Sequence, residues 1–207
     1  MTGDAGRPRR IGLMGGTFDP IHHGHLRCAE EARVQFGLDE VVFVPAGDPW
    51  QKTGVSPAED RYLLTMLATA SNPHFSVSRL EIDRGGPTYT VDTLRTFRAF
   101  YDGSAELFFI TGTDAVAAIL SWKDPEETLD LAHFIAANRP GYQINEEQQS
   151  LFRGRVSVME MPALEISSQE IRRRVGQGQA IRYLVPDEVV RYIAERSLYR
   201  SHQAPSG

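Results

Sequence analysis

Ile11-Gly12-Leu13-Met14-Gly15-Gly16-Thr17-Phe18-Asp19-Pro20-Ile21-His22-His23-Gly24-His25 is followed by Leu26, Ala29, Ala32 and Phe36 at helical spacing. Gly37 ends that run, and Val41-Val42-Phe43-Val44 follows, closed by Pro45. An apolar strand, a glycine turn, one helix and a second apolar strand make a strand–helix–strand unit. Neither strand alternates apolar with polar residues, so both faces of the sheet are covered, as in a parallel sheet with crossover helices.

The pattern continues outward. Ser56-Pro57-Ala58-Glu59 reads as a helix start, with Ser56 as cap, Pro57 at the first helical position and Glu59 completing a capping box. Tyr62, Leu63, Met66, Leu67 and Ala70 give that helix one apolar face. Phe75-Ser76-Val77 begins a strand, and Leu94, Phe97 and Tyr101 mark a helix. Leu107 to Ile110, Phe134 to Ala137 and Val156 to Met161 read as further strands. The expectation is one open, doubly wound α/β domain over residues 10–200, preceded by a flexible lead (1–9) and followed by a disordered tail (201–207). In such a sheet ligands sit beyond the carboxyl ends of the strands, where the strand order reverses.

Composition narrows the function. An apolar fraction of 41%, a charged fraction of 24% and a net charge of −5 are those of an ordinary soluble protein and argue against a nucleic-acid surface. The single Cys28 excludes an internal disulfide and fits a reducing compartment. No apolar run reaches the ~20 residues of a membrane span, and no secretory leader follows Met1, so a cytoplasmic protein is expected, with no membrane partner. A homo-oligomer is compatible with all of this.

The turn at Gly15-Gly16 lets backbone amides approach a phosphate without Cβ atoms in the way. His22 and His25 share one face at the helix start, where free amides and the positive end of the dipole favour an anion. His23 reads as a solvent-facing spacer. A metal pair is disfavoured because no third ligand stands nearby. Neither a G-x-G-x-x-G fingerprint nor a P-loop is present. Far along the chain, Ile166-Ser167-Ser168-Gln169-Glu170-Ile171-Arg172 has Ser167 as N-cap with Glu170 at the capping-box position. Its amides, the Ser168 hydroxyl and Arg172 suit phosphate oxygens, whereas Arg173 and Arg174 read as a solvated face.

These two stretches resemble the H-x-G-H and I-S-S-x-x-I-R signatures of the adenylyl- and cytidylyltransferase superfamily. From Ile11 to Tyr199 the chain resembles bacterial nicotinate mononucleotide adenylyltransferases. The marks of that branch are Gly86 to Leu94, Thr111 to Asp114, Ser121-Trp122-Lys123, Phe134 to Pro140 and Leu184 to Tyr199. The resemblance implies a Rossmann-like nucleotidyltransferase sheet and ATP and nicotinate mononucleotide as substrates. It implies catalysis by His22 and His25, and ATP held by Gly15, Gly16, Thr17, Phe18, Ser167, Ser168 and Arg172. The mononucleotide would meet Lys52, Thr90, Gly112, Asp114, Trp122 and Arg139. From the residues alone, Trp122 is equally a core residue, Thr90 a helix cap and Asp114 an N-cap. Mg²⁺ is expected on the ATP phosphates, with no dedicated protein metal site. Pantetheine-phosphate adenylyltransferase shares both signatures but lacks the Tyr89-Thr90 and Trp122-Lys123 marks. A catalytically inactive nucleotide-binding regulator is the other alternative.

Overall fold

The computed structural model describes residues 7–49, 53–138, 152, 154–162 and 164–200. The expected lead and tail, Lys52 and Arg139 lie mostly or wholly outside them. Six strands form one all-parallel sheet: β1 (Arg9–Gly16), β2 (Glu40–Pro45), β3 (Phe75–Val77), β4 (Ala105–Gly112), β5 (His133–Asn138) and β6 (Val156–Glu160). Their order is β3-β2-β1-β4-β5-β6, so the sheet grows one way from β1 and then the other from β4. The switch point lies between β1 and β4, where the doubly wound fold was expected to open its crevice.

The unbroken apolar strands are explained by two cores, one per face. Met14, Phe43, Phe108 and Ile110 point into one. Leu13, Val42, Val44, Leu107 and Phe109 alternate into the other. The first core is covered by α1 (His23–Gln35), α7 (Ser168–Gly176) and α8 (Asp187–Glu195), whose Ala29, Ala32, Ile171, Val189 and Ile193 are buried in it. The second holds Leu94 and Phe97 of α4 (Thr90–Tyr101), Val116 of α5 (Thr113–Ala117) and Leu129 of α6 (Pro125–Leu131). None of the helices among the described residues is long and apolar enough to cross a membrane.

Helix α2 (Ala58–Thr69) departs from expectation in two ways. Pro57 is its N-cap, and Ser56 caps nothing; the Ser56 amide donates to Asp19 Oδ2 at 3.2 Å instead. Glu59 pairs with Arg79 rather than closing a capping box. The expected apolar face is also turned outward, with Leu63 and Met66 each 42% exposed. Arg61, Leu64, Thr65, Ala68 and Thr69 point inward. The polar members of that face are satisfied locally: Thr65 and Thr69 hydroxyls donate to the carbonyls one turn back, at 2.8 and 2.9 Å. A short helix, α3 (Leu80–Arg84), then leads towards α4.

Candidate active site

The crevice begins where β1 ends. Gly16 is required by packing: a Cβ there would lie 2.7 Å from the ring of Phe18, which folds back and is buried. Phe18 in turn stands edge-on to His25, ring centres 5.2 Å apart. Gly16 thus makes room for an aromatic support of His25.

His22 is the N-cap of α1, and its ring stacks on that of His25, 3.8 Å centre to centre. The His22 amide donates to His25 Nδ1 at 3.3 Å, which leaves the proton of a neutral His25 ring on Nε2. His22 is only 6% exposed, and burial, with His23 adding to it, holds its pKa down at about 4. Its Nδ1 is buried and has no hydrogen-bond partner among the described residues. Two stacked imidazoles, that of His22 uncharged, therefore sit at the amino end of a helix. His23 is half-buried rather than solvent-facing, and its amide donates to the Leu184 carbonyl at 3.0 Å.

The second signature meets the first. Ser167 caps α7, accepting from the Glu170 amide at 3.2 Å. Ser168 Oγ donates to the Pro20 carbonyl at 2.8 Å, and Arg172 Nη1 donates to the Asp19 carbonyl at 2.6 Å. The Ser168 hydroxyl has no second donor, whereas Arg172 keeps further guanidinium donors beside the turn that leads into α1. Arg173 and Arg174 both pair with Glu170, as a solvated face does.

The remaining segments gather on the other side of the switch point. Met14 pairs with Ile110, so Gly112 stands level with Gly16. A Cβ on Gly112 would meet nothing within 4 Å, and its φ of −78° is open to any residue, so neither packing nor backbone accounts for the glycine. Asp114 is exposed in the first turn of α5 and is not its N-cap, which is Gly112. Thr90 begins α4 but is not its cap, which is Tyr89. Trp122 leans on Phe134 at 6.3 Å and packs, half-buried, against the second core. Lys123 ties the Tyr89–Thr90 and Trp122 segments together, 3.0 Å from Asp92 and 4.8 Å above the Tyr89 ring. Thr88 donates to the Asp48 carbonyl at 3.1 Å and so joins the segment that follows β2.

Arg61 and Asp60, outside every quoted mark, and Asp19, Tyr192 and Tyr199, inside marks but assigned no role, also hold this crevice. Arg61, 1% exposed, donates to the carbonyls of Thr17, Gly47 and Ser56 at 2.9, 3.0 and 3.0 Å, clamping three loops. Asp19 accepts from Tyr199 at 2.7 Å through one oxygen and from the Ser56 amide through the other. Asp60 accepts from Tyr192 at 2.7 Å, fastening α2 to α8. Leu64 and Ala68, at helical spacing from Arg61, were the available sign that it faces inward. Cys28 is half-buried, with its thiol pushed up to about 12, and offers no nucleophile.

A switch-point crevice in which two helix starts, two stacked histidines and an arginine converge on one turn defines a nucleotidyltransferase-type site. The sequence matches the cytidylyltransferase-like family model over residues 13–174. It is 60% identical to a "Probable nicotinate-nucleotide adenylyltransferase" of Saccharopolyspora erythraea over 97% of this chain and 94% of that one. It is 62% identical to a protein so named in Streptomyces coelicolor, over 90% of this chain and 99% of the other. The fold is also that of a Plasmodium falciparum nicotinic acid mononucleotide adenylyltransferase solved with NaAD, with TM-score 0.76 at 21% identity, covering 92% and 97% of the chains. The chain belongs to the cytidylyltransferase-like family and, within it, to the nicotinate-nucleotide adenylyltransferases.

Proposed function

We propose that this chain transfers the adenylyl group of ATP to nicotinate mononucleotide. A phosphate oxygen of the mononucleotide bonds to the α-phosphorus, the bond from that phosphorus to the bridging oxygen breaks, and pyrophosphate leaves with the electron pair. The observation that carries this reading is the stacked pair His22–His25 at the start of α1, with Arg172 anchored on the same turn.

Such transfer needs alignment and charge stabilisation more than covalent help. His22 and His25 act as donors to the α-phosphate and the bridging oxygen, in a site preorganised by burial and stacking. Arg172 and the α7 amides, that of Ser168 among them, hold the β- and γ-phosphates, while the Ser168 hydroxyl, donating to the Pro20 carbonyl, ties the two turns together. Gly112 leaves space for the nucleotide at the end of β4, with Asp114 beside it, and Thr90 and Trp122 enclose the pyridine ring. Lys52 and Arg139 complete the reading from segments outside the described residues. Among the described residues no three His, Cys, Asp or Glu side chains gather in a set that could hold a metal ion. The crevice donors are imidazole, hydroxyl, guanidinium and amide groups, which suit phosphate oxygens, so Mg²⁺ belongs with the ATP. When bound there, it neutralises charge on the leaving pyrophosphate.

The test is pyrophosphate release with ATP and a panel of acceptors: nicotinate mononucleotide, its amide and phosphopantetheine. The acid only accepts hydrogen bonds, while the amide also presents two N–H donors, which a pocket lined by backbone amides and the Thr90 hydroxyl would leave facing donors. One buried mispairing costs about 1–3 kcal/mol, or roughly tenfold to a few hundredfold in kcat/KM. The acid is expected to win by that margin. Equal rates for acid and amide would remove the donor-lined pocket, and preference for phosphopantetheine would overturn the acceptor.

A further inference from the structure

At the end of the sheet opposite the crevice, a cavity of about 490 Å³ opens among the amino-terminal ends of β1, β4, β5 and β6. Three guanidiniums from separate elements line it: Arg10 of β1, Arg98 of α4 and Arg155 just before β6. Each is placed independently of any ligand, or lacks a competing partner. Arg10 lies 4.6 Å above the Phe108 ring. Arg98 Nη1 donates to the Ala105 carbonyl at 3.0 Å. Among the described residues Arg10 has one carboxylate neighbour, Glu106 at 3.3 Å, while Arg98 and Arg155 have none in ion-pair range. It is the buried Arg10 Nε that faces Glu106, without a well-aligned hydrogen bond, so Arg10 is the most engaged of the three. Asp130 on the rim is the other acidic group. His133 and Ser157, 2.8 Å apart, add a polar wall.

We infer that this cavity is a second anion site, which binds a phosphate-bearing small molecule between Arg10, Arg98 and Arg155. Guanidinium forks match phosphate oxygens, and three of them against two carboxylates leave the cavity positive in a chain whose net charge is −5. The field is visible on His133: burial lowers its pKa, and Arg155 and Arg10 lower it further. Nothing in the adenylyl-transfer reading uses this end of the sheet.

The consequence is specific to His133. A phosphate seated among the arginines opposes their effect, so the His133 titration midpoint rises by about one pH unit, as an opposite charge within 4–6 Å produces. The experiment follows the His133 imidazole by NMR, assigned by its loss in His133→Gln, with and without saturating inorganic phosphate. A parallel arm with AMP separates a free phosphate ion from a nucleotide phosphate as the occupant. The expected result is a rise in wild type that disappears in the Arg98→Gln, Arg155→Gln double variant. That variant should keep its basal adenylyl transfer, and Arg172→Ala should keep the His133 response. An unmoved midpoint with both phosphate and AMP overturns the site. So does a midpoint that still rises in the double variant.

Discussion

His22 shows how one residue acquires its role from its surroundings. An exposed histidine at a helix start would titrate near its ordinary value of 6.5; burial brings this one to about 4 and leaves it an uncharged donor at neutral pH. On the proposed reading its contribution would be concentrated in the transition state, where charge moves onto the α-phosphate and the bridging oxygen. We expect His22→Ala to lower kcat by about 10²–10³-fold with little change in the binding of an ATP analogue, the loss typical of one such donor. Near-normal turnover in a steady-state pyrophosphate assay would remove the histidine from the mechanism. Arg61 works at one remove, through the carbonyls of Thr17, Gly47 and Ser56. Arg61→Ala leaves those acceptors without their donor in a buried site, a loss of about 3 kcal/mol or more in urea unfolding. Arg61→Lys keeps the charge but not the three-way fork. The lysine variant is expected to fold, with a raised KM for ATP; unchanged kinetics would make the clamp purely structural.

Elements were legible to different degrees. Helix α1 and its apolar positions followed from spacing, as did α7 with its Ser167 cap. Helix α2 was legible as a helix, but its orientation was not. Period alone favours Leu63 and Met66 as the buried side, yet the inward face carries Arg61, Thr65 and Thr69 because each finds a carbonyl to donate to. Helix α7 supplies the element-scale prediction. On the proposed reading Arg172 would contact phosphates that are held in ground and transition states alike, so Arg172→Ala should mainly raise the KM for ATP. Arg173→Ala, whose guanidinium faces Glu170, is the control and should change little. The two variants are to be compared at saturating acceptor, and equal KM values would move Arg172 off the phosphates.

At the scale of the molecule, burial of His22 makes stability depend on pH. The folded pKa lies below the unfolded one, so the unfolded chain takes up a proton that the folded chain refuses. The contribution is fully present above pH 6.5 and is lost as pH falls towards 4. It amounts to about 3 kcal/mol at 1.36 kcal/mol per pH unit. Urea midpoints of wild type and His22→Gln at pH 7 and pH 4.5 should therefore converge on acidification, and parallel losses would contradict the buried neutral ring.

The sequence by itself determined the parallel sheet, because runs such as Val41 to Val44 and Leu107 to Ile110 have no polar side to give to water. It also determined the two signatures, since strand end, glycine turn and helix start are neighbours along the chain and their chemistry is local. Only the tertiary structure decided what supports them. Arg61, Asp19 and Tyr199 lie far apart in sequence, and their value comes from carbonyls and hydroxyls that meet only once the loops are packed. A side chain's own pattern reports its preference for water or oil, whereas a buried arginine or aspartate is stable only with the particular partners that the fold brings within 3 Å or so of it.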